Sequence, residues 1–385
     1  MKIVIVYPID DLFEKFGGIE TCITDYIRMF SGDVEIIGIT KSLKIGKWYN
    51  LVVDGKKIRF FPILKIKNPN KRTLVPLILK YTLSLFFWKY KIDFKNKILM
   101  FHRLEPALPL WNVKEKKILF VHGDIRNFSN LYCESQWRSI RSIYFILERF
   151  FINQMKKIFV VSQEGCKYYK NKYLKISERF EFLPTWYNEK IFYRDRNINK
   201  QEVLELFNIE DQKYLILFVG RLEKVKRPLL LIEVFSIVNQ YLPNSLLIII
   251  GEGSLKEVII EKLKSKVLEE KVYLLGKKTQ QEIAKIMNIS NLLLLTSAFE
   301  GMPRVVNEAL GCGIPVVCTK VGEVELVVKE GNSGKVVDSY DPDKIATAVI
   351  EVLKNPPSSE SCQKAVSNYS QEKVINYLIS KIGEV

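Results

Sequence analysis

Histidine and paired cysteine are what this chain has least of. Two histidines occur, His102 and His122, and the six cysteines (Cys22, Cys133, Cys166, Cys312, Cys318, Cys362) form no CxxC pair and flank no histidine cluster. That scatter excludes the common structural zinc motifs and a disulfide framework, and it points to a reducing cytoplasm. No metal and no cofactor is expected. Long apolar runs are missing too. The greasiest stretch, Leu74 to Tyr90, is divided by Lys80 into pieces too short to cross roughly 30 Å of hydrocarbon. The opening MKIVIVYPID places acids soon after a short apolar run, so it reads as a strand and not as a secretory signal. There is no internal repeat and no low-complexity segment.

What is present fits a folded protein of two ordinary domains, with 385 residues, 48% hydrophobic content and a mean hydropathy of +0.02. Its charge is uneven. Residues 1–195 hold 35 lysines and arginines against 19 acids, the remainder holds 24 of each, and residues 51–100 alone hold 12 against 2. The whole net charge of +16 therefore lies in the first half. A lysine-rich composition would produce an excess, but it would not leave the second half neutral. The field suits an anionic partner: nucleic acid, an acidic membrane surface or a polyphosphate.

Short apolar runs alternate with helical patterns along the chain, which predicts parallel sheets covered by helices. In the first half strands are expected at Lys2–Tyr7, Glu35–Ile39, Lys57–Phe61, Lys97–Phe101, Lys117–Val121, Lys157–Val161 and Arg179–Leu183. Helices are expected at Gly18–Phe30, Arg72–Tyr90, Glu134–Lys156 and Gln163–Lys172, and Tyr187–Lys200 reads as a linker. The pattern restarts at Tyr214–Val219, a continuous apolar run suited to a central parallel strand. Thr279 and Glu282 form the signature of a capping box. Residues 1–190 and 200–365 are the expected domains, with a last amphipathic helix, within 366–385, packing back on the first.

Two segments of the second half could carry chemistry. After the strand LILFVG come Arg221 and Lys226, five residues apart and just before a helix. Two cations there could grip a diphosphate from two sides through charge-assisted contacts, although solvated surface cations are the commoner outcome. The second segment is Glu300-Gly301-Met302-Pro303, with Glu308 further on. Pro303 suits the first turn of a helix, so Glu300 would precede that helix and Glu308 would lie inside it. The amides of Gly301 and Met302 could then receive a phosphate or a sugar hydroxyl. Two acids at such a spot suit hydroxyl recognition, one for the sugar and one for a ribose.

GRLEKVKRP, followed by SAFEGMPRVVNEALGCGIPVVCTKVGEVELV, resembles family 4 of the retaining glycosyltransferases, the group 1 enzymes of GT-B fold. The resemblance covers the second half, including IIIGEGSLKEVI and VYLLGKKTQQEIAKIMNISNLLLLTS. It implies an α/β fold of two facing Rossmann-like, doubly wound domains with a deep cleft. It also implies a nucleotide diphosphate sugar as donor, with UDP favoured over GDP, and a saccharide or polyprenyl-linked acceptor. By that resemblance Arg221 and Lys226 hold the diphosphate, while Glu300 and the amides after it meet the transferred sugar. Glu308 would hold the ribose, and the loop with Lys277 would lie by the base.

In the first half, Gly17 and Gly18 resemble the family's glycine pair after the first strand, where a side chain would block a close approach. An ordinary flexible turn is the plainer reading. His122, in ILFVHGD, matches the family's histidine near the donor sugar, and His102, in LMFHRLEP, is as well read as a core histidine. The chain departs from the family at the junction, where Leu183-Pro184-Thr185-Trp186-Tyr187-Asn188 replaces an Asn-Gly pair, and at Arg227, where glycine is frequent.

The implied reaction is sugar transfer with retention in polysaccharide biosynthesis at the cell surface, catalysed by His122, Glu300, Arg221 and Lys226 without a metal. The basic, aromatic stretch 71–91 would lie on an anionic membrane surface from the cytoplasmic side, with Phe86, Phe87 and Trp88 toward lipid; a core face for those aromatics is the alternative. Competing readings are a GT-B nucleotide-sugar epimerase and a non-catalytic basic binding protein. A nicotinamide oxidoreductase lacks its glycine fingerprint, and no nucleic-acid-binding motif is present.

Overall fold

The computed structural model describes residues 1–12, 18–66, 75–122 and 141–385, with backbone alone for 141–144. Two compact units result. The first gathers the described residues up to Leu183 together with Ile375–Val385, and the second runs from Pro184 to Val374.

The first unit is built on strands β1 (Lys2–Asp10), β2 (Asp33–Thr40), β3 (Tyr49–Val53), β4 (Lys56–Lys65), β5 (Ile98–Phe101), β6 (Lys117–Val121), β7 (Lys157–Val160) and β8 (Phe180–Phe182). Its helices are α1 (Gly18–Met29), α2 (Leu77–Trp88), α3 (Arg141–Ile152) and α4 (Gln163–Lys172). The sheet order is β3-β4-β2-β1-β5-β6-β7-β8. Ile3, Val4, Ile5 and Val6 of β1 are fully buried, as a strand covered on both faces requires. One edge departs from the parallel expectation. β3 runs antiparallel to β4, joined through Asp54 and Gly55, both with positive φ. An Asp-Gly pair between apolar runs is a strong hairpin signal, yet the sequence reading placed only one strand there, at Lys57–Phe61. The helix expected at Arg72–Tyr90 is Leu77–Trp88. The one expected at Glu134–Lys156 is described over Arg141–Ile152; Gly17 and the first residues of both expected helices lie outside the described residues.

The second unit carries β9 (Tyr214–Val219), β10 (Ser245–Ile250), β11 (Val272–Gly276), β12 (Leu292–Leu295), β13 (Val316–Thr319) and β14 (Gly334–Val337), ordered β11-β10-β9-β12-β13-β14 and parallel at every pairing. Helices α5 (Lys200–Leu206), α6 (Pro228–Tyr241), α7 (Lys256–Lys266), α8 (Gln280–Ile289), α9 (Arg304–Gly311), α10 (Pro342–Lys354) and α11 (Ser359–Val366) cover it. The last helix, α12 (Gln371–Gly383), begins in this unit and from Ile375 belongs to the first. Residues alternate along β9: Leu215 and Leu217 join one buried cluster, Ile216 and Phe218 another, so each face of the strand feeds its own layer. The capping box forms as read, Thr279 Oγ1 accepting from Glu282 N–H at 3.3 Å while Glu282 Oε2 accepts from Thr279 N–H at 2.7 Å.

The stretch read as a linker is packed. Tyr187 and Phe192 are buried, Arg194 donates to the Asn288 carbonyl at 2.8 Å, and Asp195 N–H donates to Asn288 Oδ1 at 2.9 Å. Its aromatic residues among the polar ones hold it to the second unit.

Both sheets reverse winding direction beside their first strand. In the first unit the chain goes from β1 outward through β2 and β4, then returns to β5 on the other side. In the second it goes from β9 to β10 and β11, then returns to β12. In open α/β sheets the crevice at such a reversal, off the carboxyl ends of the strands, is where ligands bind.

Candidate active site

In the second unit the two segments singled out in the sequence follow the two strands that flank the reversal. Gly220 to Lys226 follow β9, Thr296 to Pro303 follow β12, and β9 and β12 are paired. The loops are stitched together by backbone and hydroxyl contacts. Ala298 N–H donates to the Val225 carbonyl at 2.7 Å, and Thr296 Oγ1 donates to the carbonyls of Lys226 and Arg227, each at 3.1 Å. The ammonium of Lys226 forms an ion pair with Glu300 Oε1, and Ser297 Oγ donates to the same oxygen at 2.8 Å. Both charged side chains are about 15% exposed, so they are set in place while still open to a ligand.

Two glycine positions explain how these loops come so close. A Cβ on Gly251, whose φ is +144°, would stand 1.9 Å from the Gly220 carbonyl oxygen. One on Gly322, φ +48°, would stand 1.9 Å from the Gly301 oxygen, which accepts from Glu323 N–H at 2.9 Å. The partial GxGxxG at Gly251 and Gly253 thus serves backbone contact between the β10 and β9 loops, with Leu222 N–H on the Glu252 carbonyl at 3.0 Å. Arg227 takes the left-handed conformation at φ 48°, ψ 53°, which accounts for glycine being frequent at that position. Its guanidinium lies 3.6 Å from the centroid of the Tyr340 ring.

The remaining donor-site residues fall around this pair. Arg221 is exposed on the same loop, and Lys277 is exposed after β11, whose last residue, Gly276, accepts from Gly251 N–H at 2.9 Å. Met302 is buried in the core, so its side chain is structural. Pro303 is the N-cap of α9, one residue outside the first turn predicted for it, with φ −70° and ψ 114°. Glu308, buried on α9, lies 3.8 Å from Arg304. Glu300 and Glu308 are therefore held by two different cations.

Sequence reasoning missed the groups that position these residues. Arg304 was legible as an i,i+4 partner of Glu308, and Ser297 as a hydroxyl three residues before Glu300. Thr185 Oγ1 donates to the Met302 carbonyl at 2.9 Å, and Asn307 Nδ2 donates to the Thr185 carbonyl at 3.1 Å. Trp186 is buried, with Arg304 5.7 Å from its ring centroid. The segment that departs from the family's Asn-Gly pair is thus a support for the Glu300–Glu308 segment, a role that no local pattern announces.

In the first unit, His102 follows β5 and His122 follows β6. His102 Nδ1 and His122 Nε2 are 2.9 Å apart, and His102 stacks on Phe120 at 4.6 Å. Burial holds the His102 imidazole well below its usual pKa and lowers His122 to about 4. Both rings are neutral at pH 7, and one donates to the other. Gly18 opens α1, and a Cβ there would meet no atom within 4 Å. Among the described residues, packing does not require glycine at that position.

The family model of the glycosyl transferases, group 1, matches residues 199–369, the part that contains Arg221, Lys226, Glu300 and Glu308. This part of the chain is similar to the group 1 glycosyl transferases. A glycosyltransferase of Methanocaldococcus jannaschii that has no assigned reaction is 28% identical over 299 residues, which are 76% of this chain and 71% of that protein. The UDP-Gal:alpha-D-GlcNAc-diphosphoundecaprenol alpha-1,3-galactosyltransferase of Escherichia coli is 26% identical over 178 residues, 44% of this chain and 46% of that one. Among solved structures, HepE of Anabaena, in complex with UDP and glucose, aligns over 100% of both chains with TM-score 0.74 and 14% identity. The chain has the GT-B fold.

Proposed function

We propose that this glycosyltransferase moves a sugar from a nucleotide diphosphate donor, UDP-linked in preference to GDP-linked, to a saccharide or polyprenyl-linked acceptor with retention of configuration. The observation that carries this reading is the meeting of Lys226 and Glu300 at the reversal of the second sheet. Donor binds there. Its diphosphate competes with Glu300 for the Lys226 ammonium and takes Arg221 as a second cation, so charge on the leaving group is neutralised without a metal. Glu300, released toward the sugar, accepts from its hydroxyls beside the amides of Gly301 and Met302. Glu308 accepts from the ribose hydroxyls, and Lys277 lies by the base.

The acceptor is assigned to the first unit, with Gly18 and His122 as its residues that would exchange contacts with sugar hydroxyls; Gly17, named with them, lies outside the described residues. A neutral imidazole can exchange hydrogen bonds with a sugar hydroxyl without drawing the diphosphate away from the cations. No carboxylate in the set is an evident nucleophile, so attack on the face the leaving group departs from, through an ion-pair-like state, is the mechanism assigned to retention. The relative of Escherichia coli, named for UDP-Gal and a diphosphoundecaprenol, and the UDP in HepE support uridine and a lipid-linked acceptor. Such acceptors belong to cell-surface polysaccharide assembly on the cytoplasmic face of the membrane, where the protein would sit peripherally.

A thermal-shift panel of nucleotide sugars, run on wild type and Glu300→Ala, tests the reading. Selective stabilisation by one donor, weakened in the variant and unchanged by EDTA, is expected. An equal shift in both proteins would remove Glu300 from the donor site.

A further inference from the structure

Helix α2 has two apolar faces, and among the described residues only one of them is packed against the fold. Its inner face, Ile78, Tyr81, Thr82 and Leu85, is buried, and Tyr81 Oη donates to the Ile37 carbonyl at 2.6 Å. Facing away from these, Leu83, Phe86 and Phe87, continued by Tyr90 in the 3-10 turn Lys89–Lys91, recur at the i, i+3, i+4, i+7 spacing of one helix face. They are exposed by 58%, 39%, 80% and 82%. The Lys89 ammonium lies 5.7 Å from the Phe86 centroid and 5.1 Å from that of Tyr90, and it donates to the Pro109 carbonyl at 2.9 Å. Lys89 also donates to Asn112 Oδ1 at 3.4 Å, so Trp111, 56% exposed, lies between two residues that Lys89 holds beside this face.

Trp88, expected to face lipid, does not. It packs edge-on to Phe61 at 6.1 Å and so close to Gly46 that a Cβ there would stand 2.1 Å from its ring. Scattered exposed apolar side chains are ordinary on a protein surface, but five large ones gathered at one place mark a contact surface.

The geometry points to the outer face of α2, with Trp111, as the element that this protein inserts into the interface of an anionic lipid bilayer. Charge selects that occupant. Residues 75–91 contain Lys80, Lys89 and Lys91 and no acid, and cations beside an aromatic face are what an anionic headgroup layer attracts. Twelve residues of helix span about 18 Å, and among the described residues no helix is long and apolar enough to cross a membrane. The helix therefore lies in the interface, its inner face fixed to the sheet and its aromatic face among the acyl chains. The inference rests on the reading of a membrane-borne acceptor for its purpose, not for its evidence.

Co-sedimentation with vesicles of phosphatidylcholine alone, and of phosphatidylcholine with phosphatidylglycerol, tests it on the full chain without donor. Wild type is expected to bind the anionic vesicles at least tenfold more strongly than the neutral ones. The doubly substituted Leu83→Glu, Phe87→Glu protein is expected to lose at least tenfold while keeping its melting temperature, since both side chains point outward. Emission should shift to the blue on vesicle binding in wild type and Trp88→Phe, but not in Trp111→Phe. Equal partitioning onto both vesicles, or unchanged binding by the doubly substituted protein, would overturn the inference. So would a lipid-free wild-type dimer that the double substitution makes monomeric, because the face would then belong to a second copy of the chain. The thermal-shift panel needs no lipid, so the transferase reading and this one can fail separately.

Discussion

At the carboxyl ends of β9 and β12 the second unit joins a lysine to a glutamate. At the ends of β5 and β6 the first unit joins two histidines, and burial keeps both neutral. The contrast runs against the distribution of charge along the chain, since the first 195 residues carry the entire net +16. Where the sequence is most basic, the two described residues that meet at the reversal are neutral, and the Arg103–Glu105 ion pair stands beside them. Where the sequence is neutral, the crevice is ionic. Net charge therefore reports on long-range attraction of a partner, whereas a site is made by which few groups the topology brings together.

The largest effect should come from breaking the ionic half. Lys226→Ala or Glu300→Ala is expected to lower turnover by about a hundredfold to a thousandfold, the loss typical of one preorganised electrostatic group. The melting temperature should stay near that of wild type, because both residues are partly open. Single-turnover transfer together with a melting curve checks this; turnover near wild type in both variants would contradict it.

The neutral half should show itself in acid. An unfolded chain protonates its histidines as pH falls through 6.5, while His122 holds out to about 4 and His102 is lowered as well. Across that window the unfolded state binds more protons, so stability falls as pH drops from about 6.5 to 4 and does not change on this account above 6.5. Denaturant titrations at stepped pH should find a loss of about 3 kcal/mol or more in wild type. His122→Asn should have a shallower slope, and equal slopes would remove His122 as a cause.

A smaller effect is expected at the edge of the ionic half. Glu308→Ala should raise the donor KM about tenfold, about 1.4 kcal/mol, with kcat reduced less, because the proposed contact with the ribose would be shared by ground and transition states. Steady-state kinetics over donor concentration separates the two. Smallest is Arg227→Gly. It relieves a left-handed residue, a gain of about 1 kcal/mol, and removes the contact with Tyr340, a loss of similar size. The melting temperature should hardly move.

Much of this was legible in the sequence, and for different reasons in different places. The continuous apolar run of β9 and the capping box at Thr279 are local patterns whose physics is local, so they were read correctly. Lys226 and Glu300 could be named one by one, but their pairing is a property of sheet order: only the crossing from β11 back to β12 puts residue 300 beside residue 226. The same holds for His102, which was an even choice between core and site until β5 and β6 became neighbours. The β3–β4 hairpin had its Asp54-Gly55 signal and was overlooked. The outward turn of Leu83, Phe86 and Phe87 against the inward turn of Trp88 was not readable, because a helix apolar all round gives no amphipathic pattern from which to choose the buried face.

Binding of UDP, with GDP as control, measured by calorimetry in EDTA on wild type, Lys226→Ala and His122→Ala compares the two crevices directly. At least a tenfold loss of UDP affinity is expected in Lys226→Ala, and a change within about twofold in His122→Ala, whose ring is proposed to meet the sugar and not the diphosphate. An unchanged affinity in Lys226→Ala, or a greater loss in His122→Ala, would contradict the assignment of the donor to the second unit.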